Sequence, residues 1–262
     1  MKRLYILAFM MMTTYKSIGQ QSTPRNVEQE LHFWAAKIDF WEKVDHQTET
    51  NHWEDSLQNA NQTFGKKLKY YTESYPSTIN YPFKSLEKYI SIYTADNGLF
   101  RIYNWDTGIG GIISNMGNLF QYKIGEKTKS KLILGEQDAN NMNDYFAIYH
   151  IDINKQPYYL LASSFSYSHG ENGHSEGIRA FTIKNGELDQ NAKIIKTTTG
   201  LRNELFYSYT PGEITYENNN WSVFYDPATK TISLPVVLKN GTVTKKRIVY
   251  KFTGQYFEKL KN

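Results

Sequence analysis

The hydrophobic pattern of the chain begins, after residue 25, with two stretches of helical spacing. In residues 26–45 and again in residues 53–71, apolar side chains recur at steps of three and four, which is one face of an amphipathic helix. The apolar positions are Val27, Leu31, Trp34, Ile38 and Trp41 in the first stretch, and Trp53, Leu57, Ala60, Phe64, Leu68 and Tyr71 in the second. The short polar segment 45–51 between them predicts an antiparallel helical hairpin, although Gly65 is a weak helix former inside the second stretch.

From about residue 86 the pattern becomes the alternation that is typical of β-strands. Residues 89–94 and 99–105 flank Asn97-Gly98, and Asn-Gly is the strongest short signal for a β-hairpin. The remaining strand-like stretches are residues 119–124, 130–134, 145–152, 158–165, 177–184, 204–209, 221–225, 230–238 and 243–252. Pro235 lies inside one of them and predicts an edge strand or a broken strand there.

These patterns predict an α+β protein with two parts after its first residues. The parts are a helical hairpin in residues 20–80 and an antiparallel β-meander in residues 81–262, with the boundary within residues 76–87. The meander can close as a barrel, pack as a sandwich or form small propeller-like blades, and the pattern leaves these alternatives open. Because the helices are short, we expect them to pack on the sheet rather than to fold alone.

The first 19 residues have the layout of a secretory signal peptide. Met1-Lys2-Arg3 is a basic head, residues 4–12 are an apolar run, and the small residues Ser17 and Gly19 suit a signal peptidase. The apolar run is about nine residues long, whereas a membrane-spanning helix needs roughly 20. The alternative is a buried N-terminal strand or helix. We therefore expect cleavage near Gly19-Gln20, a periplasmic or extracellular location and no membrane span.

Composition narrows the classes of partner and of chemistry. Removal of the signal would take away three basic residues and no acid, so the net charge would fall from +4 to +1. The chain therefore lacks the positive surface that is typical of nucleic-acid-binding proteins, and we expect no nucleic-acid partner. It has no cysteine, which excludes disulfides, cysteine-ligated zinc and thiol catalysis. Its 21 tyrosines suit both half-buried strands and recognition surfaces.

Asp106-Thr107-Gly108 follows an apolar strand, as the catalytic loop of an aspartic protease does. That chemistry needs two carboxylates that share a proton, and the chain has no second Asp-Thr-Gly or Asp-Ser-Gly. The alternative is a structural turn in which Asp106 caps backbone amides and the glycines adopt positive φ. Asp106 is therefore a candidate catalytic residue that the sequence does not pair with a second acid.

Residues 169–176 gather side chains that suit a transition metal. His169, Glu171 and His174 lie within six residues, and imidazole and carboxylate groups are common protein ligands of zinc. The alternative is a solvated hairpin loop, because nothing in the sequence forces these side chains to converge. These three residues are the candidate metal ligands, and we predict no cofactor.

Aromatic side chains are the third kind of candidate. Trp105, Asp106, Tyr158 and Tyr167 are the residues that we predict to bind a ligand, with the rings stacking on a sugar or a peptide. The alternative is core packing, since strand alternation turns successive side chains to opposite faces and buries about half of them.

Residues 100–111, with the sequence FRIYNWDTGIGG, resemble a strand of the form FRIYSWDTGTGG in uncharacterised secreted proteins of Bacteroidetes-type bacteria. Residues 245–259, KKRIVYKFTGQYFEK, are similar to the last pair of strands in those proteins, and the signal ending at Gly19-Gln20 also fits the group. Ile109 stands where those proteins have Thr. The resemblance implies an envelope or extracellular location, and it implies no activity.

The sequence therefore favours a non-catalytic binding protein of the periplasm or the cell exterior, with an envelope glycan, a peptide or another protein as its ligand. The first alternative is a hydrolase whose acidic residues converge only in three dimensions, with Asp106 as the first suspect. The second is a metal-binding protein that uses the loop 169–176. We expect the site on loops at one end of the sheet, formed by residues 105–111 and 169–176.

Overall fold

The structure is a computed structural model that describes residues 24–44, 52–110, 115–134, 143–166, 174–209 and 222–261. Within these ranges two α-helices precede fifteen β-strands, so the predicted class, a β-rich α+β protein, is confirmed. No helix within these ranges combines the length and the apolar character that a membrane crossing needs.

The two predicted helices are present and form a hairpin. Helix α1 spans Pro24–Lys43 and helix α2 spans Trp53–Ser74, and an ion pair of Glu30 with Lys67 joins the start of the first to the end of the second. Their inner faces bury Val27, Leu31, Ala35, Ile38, Leu57, Ala60, Phe64 and Leu68. Gly65 lies where α2 approaches the sheet, because a Cβ at this position would be 3.2 Å from the side chain of Leu132.

The connection between the helices and the first strand is packed against the protein. It contains two short 3₁₀ helices, Pro76–Asn80 and Lys84–Leu86. Ile79, Phe83 and Leu86 are buried in this connection, so it contributes side chains to the core below the helices.

The strands follow one another along the chain with short turns between most of them. Their bounds are Ser91–Thr94 (β1), Phe100–Asp106 (β2), Met116–Ile124 (β3), Lys127–Ile133 (β4), Asp144–Ile153 (β5), Gln156–Ser166 (β6), His174–Lys184 (β7), Glu187–Asp189 (β8), Ile195–Thr197 (β9), Gly200–Arg202 (β10), Glu204–Tyr209 (β11), Phe224–Asp226 (β12), Thr231–Val237 (β13), Val243–Phe252 (β14) and Phe257–Lys259 (β15). They form an N-terminal sheet of order β1-β2-β3-β4, a central sheet of order β11-β7-β6-β5 with β8 beside β7, and a C-terminal sheet of order β10-β9-β15-β14-β13-β12.

The three sheets pack face to face, with the helical hairpin as the outermost layer on one side. Alternate residues of β2 divide between the two faces of the N-terminal sheet, because successive side chains of a strand point in opposite directions. Tyr103 and Trp105 pack under the helices, whereas Phe100 and Ile102 pack on the central sheet, where the ring of Phe100 stacks on Tyr159 at 4.5 Å between centroids. The other face of the central sheet packs on the C-terminal sheet.

Strand pairing is antiparallel throughout the described strands except between β9 and β15. This pair is parallel, and the chain passes through β10 to β14 between its two strands. β8, β9, β10 and β15 have three residues each, which is too short for an alternating pattern to reveal them. The register of β13 with β14 shifts between Pro235 and Val237, at the place where the sequence predicted an irregular strand.

A buried polar junction joins the helices to the N-terminal sheet. Gln121, on β3, donates through Nε2 to the carbonyl of Thr72 at 2.9 Å and to Oγ1 of Thr78 at 2.8 Å. Its Oε1 accepts a hydrogen bond from the hydroxyl of Tyr103 at 2.9 Å. The polar side chain is therefore satisfied without water, and it fixes the end of α2 on the sheet.

Candidate functional site

Among the residues that the structure describes, a small cavity between α1 and the end of β2 is the best candidate for a functional site. Its volume is about 80 Å³, and it is partly open to solvent. The side chains in its lining that can bind or react are Asp39, Glu42, Lys88, Tyr89, Trp105 and Asp106. Two residues that the sequence singled out, Trp105 and Asp106, therefore lie at one cavity.

Trp105 forms a wall of the cavity and is held by buried contacts. Its Nε1 donates a hydrogen bond to Oδ1 of Asn61 at 3.0 Å, and its ring meets Phe64 edge to face at 5.0 Å between centroids. On the neighbouring strand, Gly117 leaves room for the indole, since a Cβ there would lie 2.2 Å from the ring. The ring is therefore fixed in place, and it offers a ligand little surface because only 2% of Trp105 is exposed.

Asp106 ends β2 and also begins the turn that follows it. Its Oδ1 accepts a hydrogen bond from the backbone N–H of Gly108 at 2.9 Å, and Gly108 has a φ of 64°. Asn61 donates to the carbonyl of Thr107 at 2.8 Å, and Thr107 itself pairs with the carbonyl of Asn115. These contacts are those of the structural turn that the sequence offered as the alternative, and they hold the Asp106 carboxylate at the cavity.

Three carboxylates, those of Asp39, Glu42 and Asp106, and one ammonium group, that of Lys88, line this cavity. Partial burial, and then the charge of Asp106, raise the pKa of Glu42 from its ordinary value of 4.5. Glu42 also rests on the turn after Asp106, because a Cβ at Gly108 would lie 2.9 Å from Cγ of Glu42. Asp39 forms an ion pair with Lys43 and contributes a smaller repulsion to Glu42. A positive or hydrogen-bond-donating ligand group would relieve this repulsion.

The end of the molecule that carries Asp106 also carries the start of β7. Asn104 donates through Nδ2 to Oδ1 of Asp144 at 2.5 Å, and Asp144 pairs with Ser164, which in turn pairs with Glu176. The strand ends that border the two predicted loops therefore lie at the same end of stacked sheets. Burial, and to a smaller extent the charge of Asp106, raise the pKa of Asp144.

Glu176 is buried on the opposite side of the central sheet and is part of the packing there. Its Oε2 accepts hydrogen bonds from the hydroxyl of Tyr207 at 2.7 Å, the hydroxyl of Ser222 at 2.7 Å and the backbone N–H of Val223 at 3.1 Å. Burial and the neighbouring Glu176 raise the pKa of the Tyr207 hydroxyl. This carboxylate is satisfied by protein groups, so it joins the central sheet to the C-terminal sheet.

The candidate metal ligands are described only in part. His174 is half-buried at the start of β7, and its ring stacks on Tyr209 at 5.7 Å between centroids. His169, Glu171 and the candidate aromatic Tyr167 lie outside the described residues. Among the residues that are described, no group of three or more histidine and acidic side chains is arranged to hold a metal ion.

Tyr158 lies away from the cavity. It is near the start of β6, paired with Ile151 and Thr182, whereas the end of β6 is the part that lies next to Asp144. Its ring is half-buried against the core between the central and C-terminal sheets, while Trp105 faces the helices. The structure thus does not bring Tyr158 together with Trp105 and Asp106.

Of the six lining residues that can bind or react, four were not singled out from the sequence: Asp39, Glu42, Lys88 and Tyr89. Asp39 and Glu42 are three residues apart near the end of α1, so they share one helix face beside the buried stripe. That spacing was the one sign in the sequence that these two acids could belong to a site, and many surface helices have acids at the same spacing. Their contact with Asp106 arises only when α1 packs beside the end of β2.

No family model, no curated protein and no solved structure matches the chain. The chemistry of the cavity's own side chains is therefore what indicates its role. Carboxylates beside aromatic rings attract ammonium groups through charge, and they accept hydrogen bonds from amino and hydroxyl groups.

Proposed function

We propose that the chain is a non-catalytic binding protein of the periplasm or the cell exterior. The observation that carries the proposal is that Glu42 and Asp106 share a cavity whose aromatic lining includes Trp105 and Tyr89. The ligand classes are an envelope glycan, a peptide or another protein. The signal-like layout of residues 1–19, which lie outside the described residues, and the resemblance to secreted Bacteroidetes-type proteins support the location.

The cavity favours a ligand that presents an amino group. A volume of about 80 Å³ holds one small functional group and not a sugar ring or a peptide backbone, so most of the ligand would lie on the surrounding surface. An ammonium group would meet the carboxylates of Glu42 and Asp106 and offset the repulsion between them, which adds to burial in raising the pKa of Glu42. Lysine-containing peptides and amino-sugar glycans are therefore the first ligands to test.

The test is a binding screen followed by two substitutions that keep size and remove charge. A thermal-shift screen of the chain from residue 20 covers peptidoglycan fragments, amino-sugar and neutral glycans, and lysine-rich and lysine-free peptides. We expect Glu42→Gln and Asp106→Asn each to weaken binding of the ligand found by about tenfold, which corresponds to about 1.4 kcal/mol. The affinity is measured by calorimetry at constant pH and salt.

Glu126→Gln is the matched control, because Glu126 is an exposed carboxylate in the turn between β3 and β4. It should leave the affinity unchanged. Equal losses in all three variants would indicate a general charge effect, and unchanged affinity in Glu42→Gln and Asp106→Asn would remove the cavity as the binding site.

A hydrolase is the second candidate, and one observation favours it. Glu42 has a raised pKa beside the carboxylate of Asp106, and paired acids with different environments are the usual way in which enzymes divide acid and base roles. The same two variants separate the candidates. In a hydrolase, Glu42→Gln and Asp106→Asn would abolish turnover of a glycan or peptide and leave much of the binding intact, whereas in a binding protein there is no turnover to lose.

A further inference from the structure

A buried amide near the end of β2 has one polar atom without a partner. Asn104 is 2% exposed, and its Nδ2 donates a hydrogen bond to Oδ1 of Asp144 at 2.5 Å. Its Oδ1 is also buried, and it accepts no hydrogen bond from the part of the chain that the structure describes. Because buried polar atoms in proteins are nearly always paired, this oxygen is the feature that indicates a ligand.

The unpaired oxygen lies among other oxygen atoms. It shares a carbon with Nδ2, so it lies beside the Asp144 carboxylate, and a half-turn of the amide would direct it at that carboxylate. Asn118, opposite Asn104 on β3, donates through Nδ2 to the carbonyl of Asn143 at 3.1 Å, which brings this carbonyl to the same place. Asp106 follows Asn104 by two residues and therefore leaves β2 on the same face.

No basic side chain neutralises the two carboxylates of this group within the described residues. Neither Asp106 nor Asp144 forms a salt bridge there, and Lys88, which lines the cavity beside Asp106, forms none either. The sequence has no lysine or arginine in residues 104–118 or in residues 135–148. The two carboxylates also repel each other, because the charge of Asp106 adds to burial in raising the pKa of Asp144. A divalent cation would relieve this repulsion.

We infer that Asn104, Asp106 and Asp144 hold a calcium ion. Calcium takes about six to eight oxygen ligands from carboxylates, amide and backbone carbonyls and water, in flexible geometry. The three side chains and the carbonyl of Asn143 are ligands of this kind, and water completes the set. The group has only two acids and no histidine, so its donors suit calcium rather than zinc. When the amide of Asn104 turns its oxygen to the ion, the unpaired acceptor gains its partner.

The ion would join two sheets at the end of the molecule that carries the cavity. Asn104 and Asp106 belong to the N-terminal sheet, whereas Asp144 begins β5 of the central sheet. Asp106 also lines the cavity, but Asn104 and Asp144 do not. The inference therefore does not depend on the proposed function, and calcium binding is measured without any ligand of the cavity.

A proton is the competing occupant of the group. A proton on Asp144 could be donated to the turned oxygen of Asn104, and it would also relieve the repulsion from Asp106. It is bound only as the pH falls towards the raised pKa of Asp144, whereas calcium binds best when both carboxylates are charged. The dependence on pH and on calcium therefore separates the two occupants.

The test is a calcium titration of the full chain, treated first with EDTA, in mildly alkaline buffer. We expect calcium to raise the melting temperature and to bind with a Kd of about 0.1–1 mM, the range of sites with few charged ligands. Sodium chloride at matched ionic strength should not reproduce the shift. Asp144→Asn and Asp106→Asn should each weaken calcium binding by about tenfold in calorimetry, because each removes a charged ligand.

Asn104→Asp tests the unpaired oxygen directly. A buried carboxylate beside Asp144 should lower the melting temperature in EDTA, because two like charges then meet without a cation. The same change should tighten calcium binding by about tenfold, since it adds a charged ligand, and an asparagine with a merely structural role would not give this gain. If this variant does not fold, Asp144→Asn carries the test, because Asp144 is exposed.

Asp152→Asn is the matched control, because it is the same change at the other end of β5, where Asp152 contacts His150. It should bind calcium as the wild-type chain does. The inference is overturned if calcium gives the wild-type chain neither a shift nor a heat of binding, or if sodium chloride gives the same shift. It is also overturned if Asp144→Asn binds calcium as tightly as Asp152→Asn. A chain that is stabilised by acid and not by calcium would show that the occupant is a proton.

Discussion

At the scale of single residues, Asn61 connects α2 to the strand end that carries the candidate site. Its Oδ1 accepts the indole N–H of Trp105, and its Nδ2 donates to the carbonyl of Thr107, so one buried amide holds both neighbours of Asp106. We expect Asn61→Ala to lower the free energy of unfolding by about 3 kcal/mol, because buried polar groups left without a partner cost about 1–3 kcal/mol each. Urea unfolding followed by circular dichroism measures this change.

The matched control for this change is Asn59→Ala. Asn59 is exposed and lies two residues earlier on the same helix, so the same loss of an amide should change stability by less than about 0.5 kcal/mol. If Asn61→Ala lowered the free energy of unfolding as little as Asn59→Ala, the hydrogen bonds of Asn61 to Trp105 and Thr107 would contribute little to stability. Another contact would then have to position Asp106.

Glu42 gives a prediction on pH. Burial, and then Asp106, raise the pKa of Glu42 in the folded chain above its ordinary value of 4.5. Between that value and the raised pKa, the folded chain keeps a proton that the unfolded chain has lost, so the stability falls as the pH rises through this window. The wild-type chain should therefore lose more stability than Glu42→Gln as the pH rises from 4.5 through the raised pKa of Glu42.

Denaturant unfolding of both proteins at several pH values measures this difference, and comparing them cancels the similar effect of Asp144, whose pKa is also raised. Glu126→Gln is the control, because Glu126 does not line the cavity, and it should keep the slope of the wild-type chain. Parallel profiles for wild type and Glu42→Gln would show that Glu42 titrates alike in the folded and unfolded chains.

The residues of the site could be predicted only in part. Trp105 and Asp106 stand out because an apolar strand runs directly into Asp-Thr-Gly, which is a local pattern. Glu42 does not stand out, since its environment depends on a residue 64 positions later in the chain. Nothing local marks a helix carboxylate as one that will meet another acid, and only the packing of α1 beside β2 reveals it.

At the scale of elements, the helices and the long strands could be predicted closely, because apolar residues recur every three or four positions in the helices and alternate in the strands. The apolar steps in residues 26–45 and 53–71 correspond to α1 at Pro24–Lys43 and α2 at Trp53–Ser74. The spacing of apolar residues did not show which aromatic side chains of α1 would be buried against the rest of the protein. Ala35 completes the buried face, while Trp34 and Trp41 remain half-buried beside the exposed Phe33 and Phe40, because the sheet covers only one side of the helix.

Gly65 and Pro235 show how tertiary contacts change the meaning of a local signal. Gly65 weakens the sequence pattern of α2, yet the structure uses it for a close contact with Leu132 on the sheet side of the helix. Pro235 lies within a paired strand, and the register shift beside it accommodates a residue that has no N–H to donate. In both cases the residue keeps its own backbone preference. The element that packs or pairs with it determines whether that preference disrupts the helix or the strand.

At the scale of the whole molecule, the order of the layers is the part that the sequence did not specify. Alternation indicates that a strand has one buried face or two, but it does not indicate which sheet covers each face. Phe100 and Tyr159 stack across two sheets although 59 positions separate them, and Tyr149 of the central sheet meets Tyr225 of the C-terminal sheet edge to face. Such contacts depend on how whole sheets pack on one another. They cannot be predicted from turn residues or from the alternation within each strand.

The core under the helices is shared between the hairpin and the N-terminal sheet, and this leads to a prediction about the helices as a layer. Tyr103, Trp105 and Leu119 are buried on the helix side of the sheet, and removal of residues 20–80 would expose all of them. Burial of each such large side chain contributes about 1.5–3 kcal/mol, and the net stability of a domain is only about 5–15 kcal/mol. Residues 81–262 alone should therefore fail to form a native core.

We expect that fragment to bind a hydrophobic dye and to lack a cooperative thermal transition, whereas the chain from residue 20 should unfold cooperatively without binding the dye. Near-ultraviolet circular dichroism checks the packing, because the signal of Tyr159 depends on its fixed contact with Phe100, and the fragment keeps both residues. A fragment with a sharp transition and a native-like aromatic spectrum would contradict the shared core. It would mean that the hairpin is an appended layer, and the cavity between α1 and β2 would then lie between two units that fold separately.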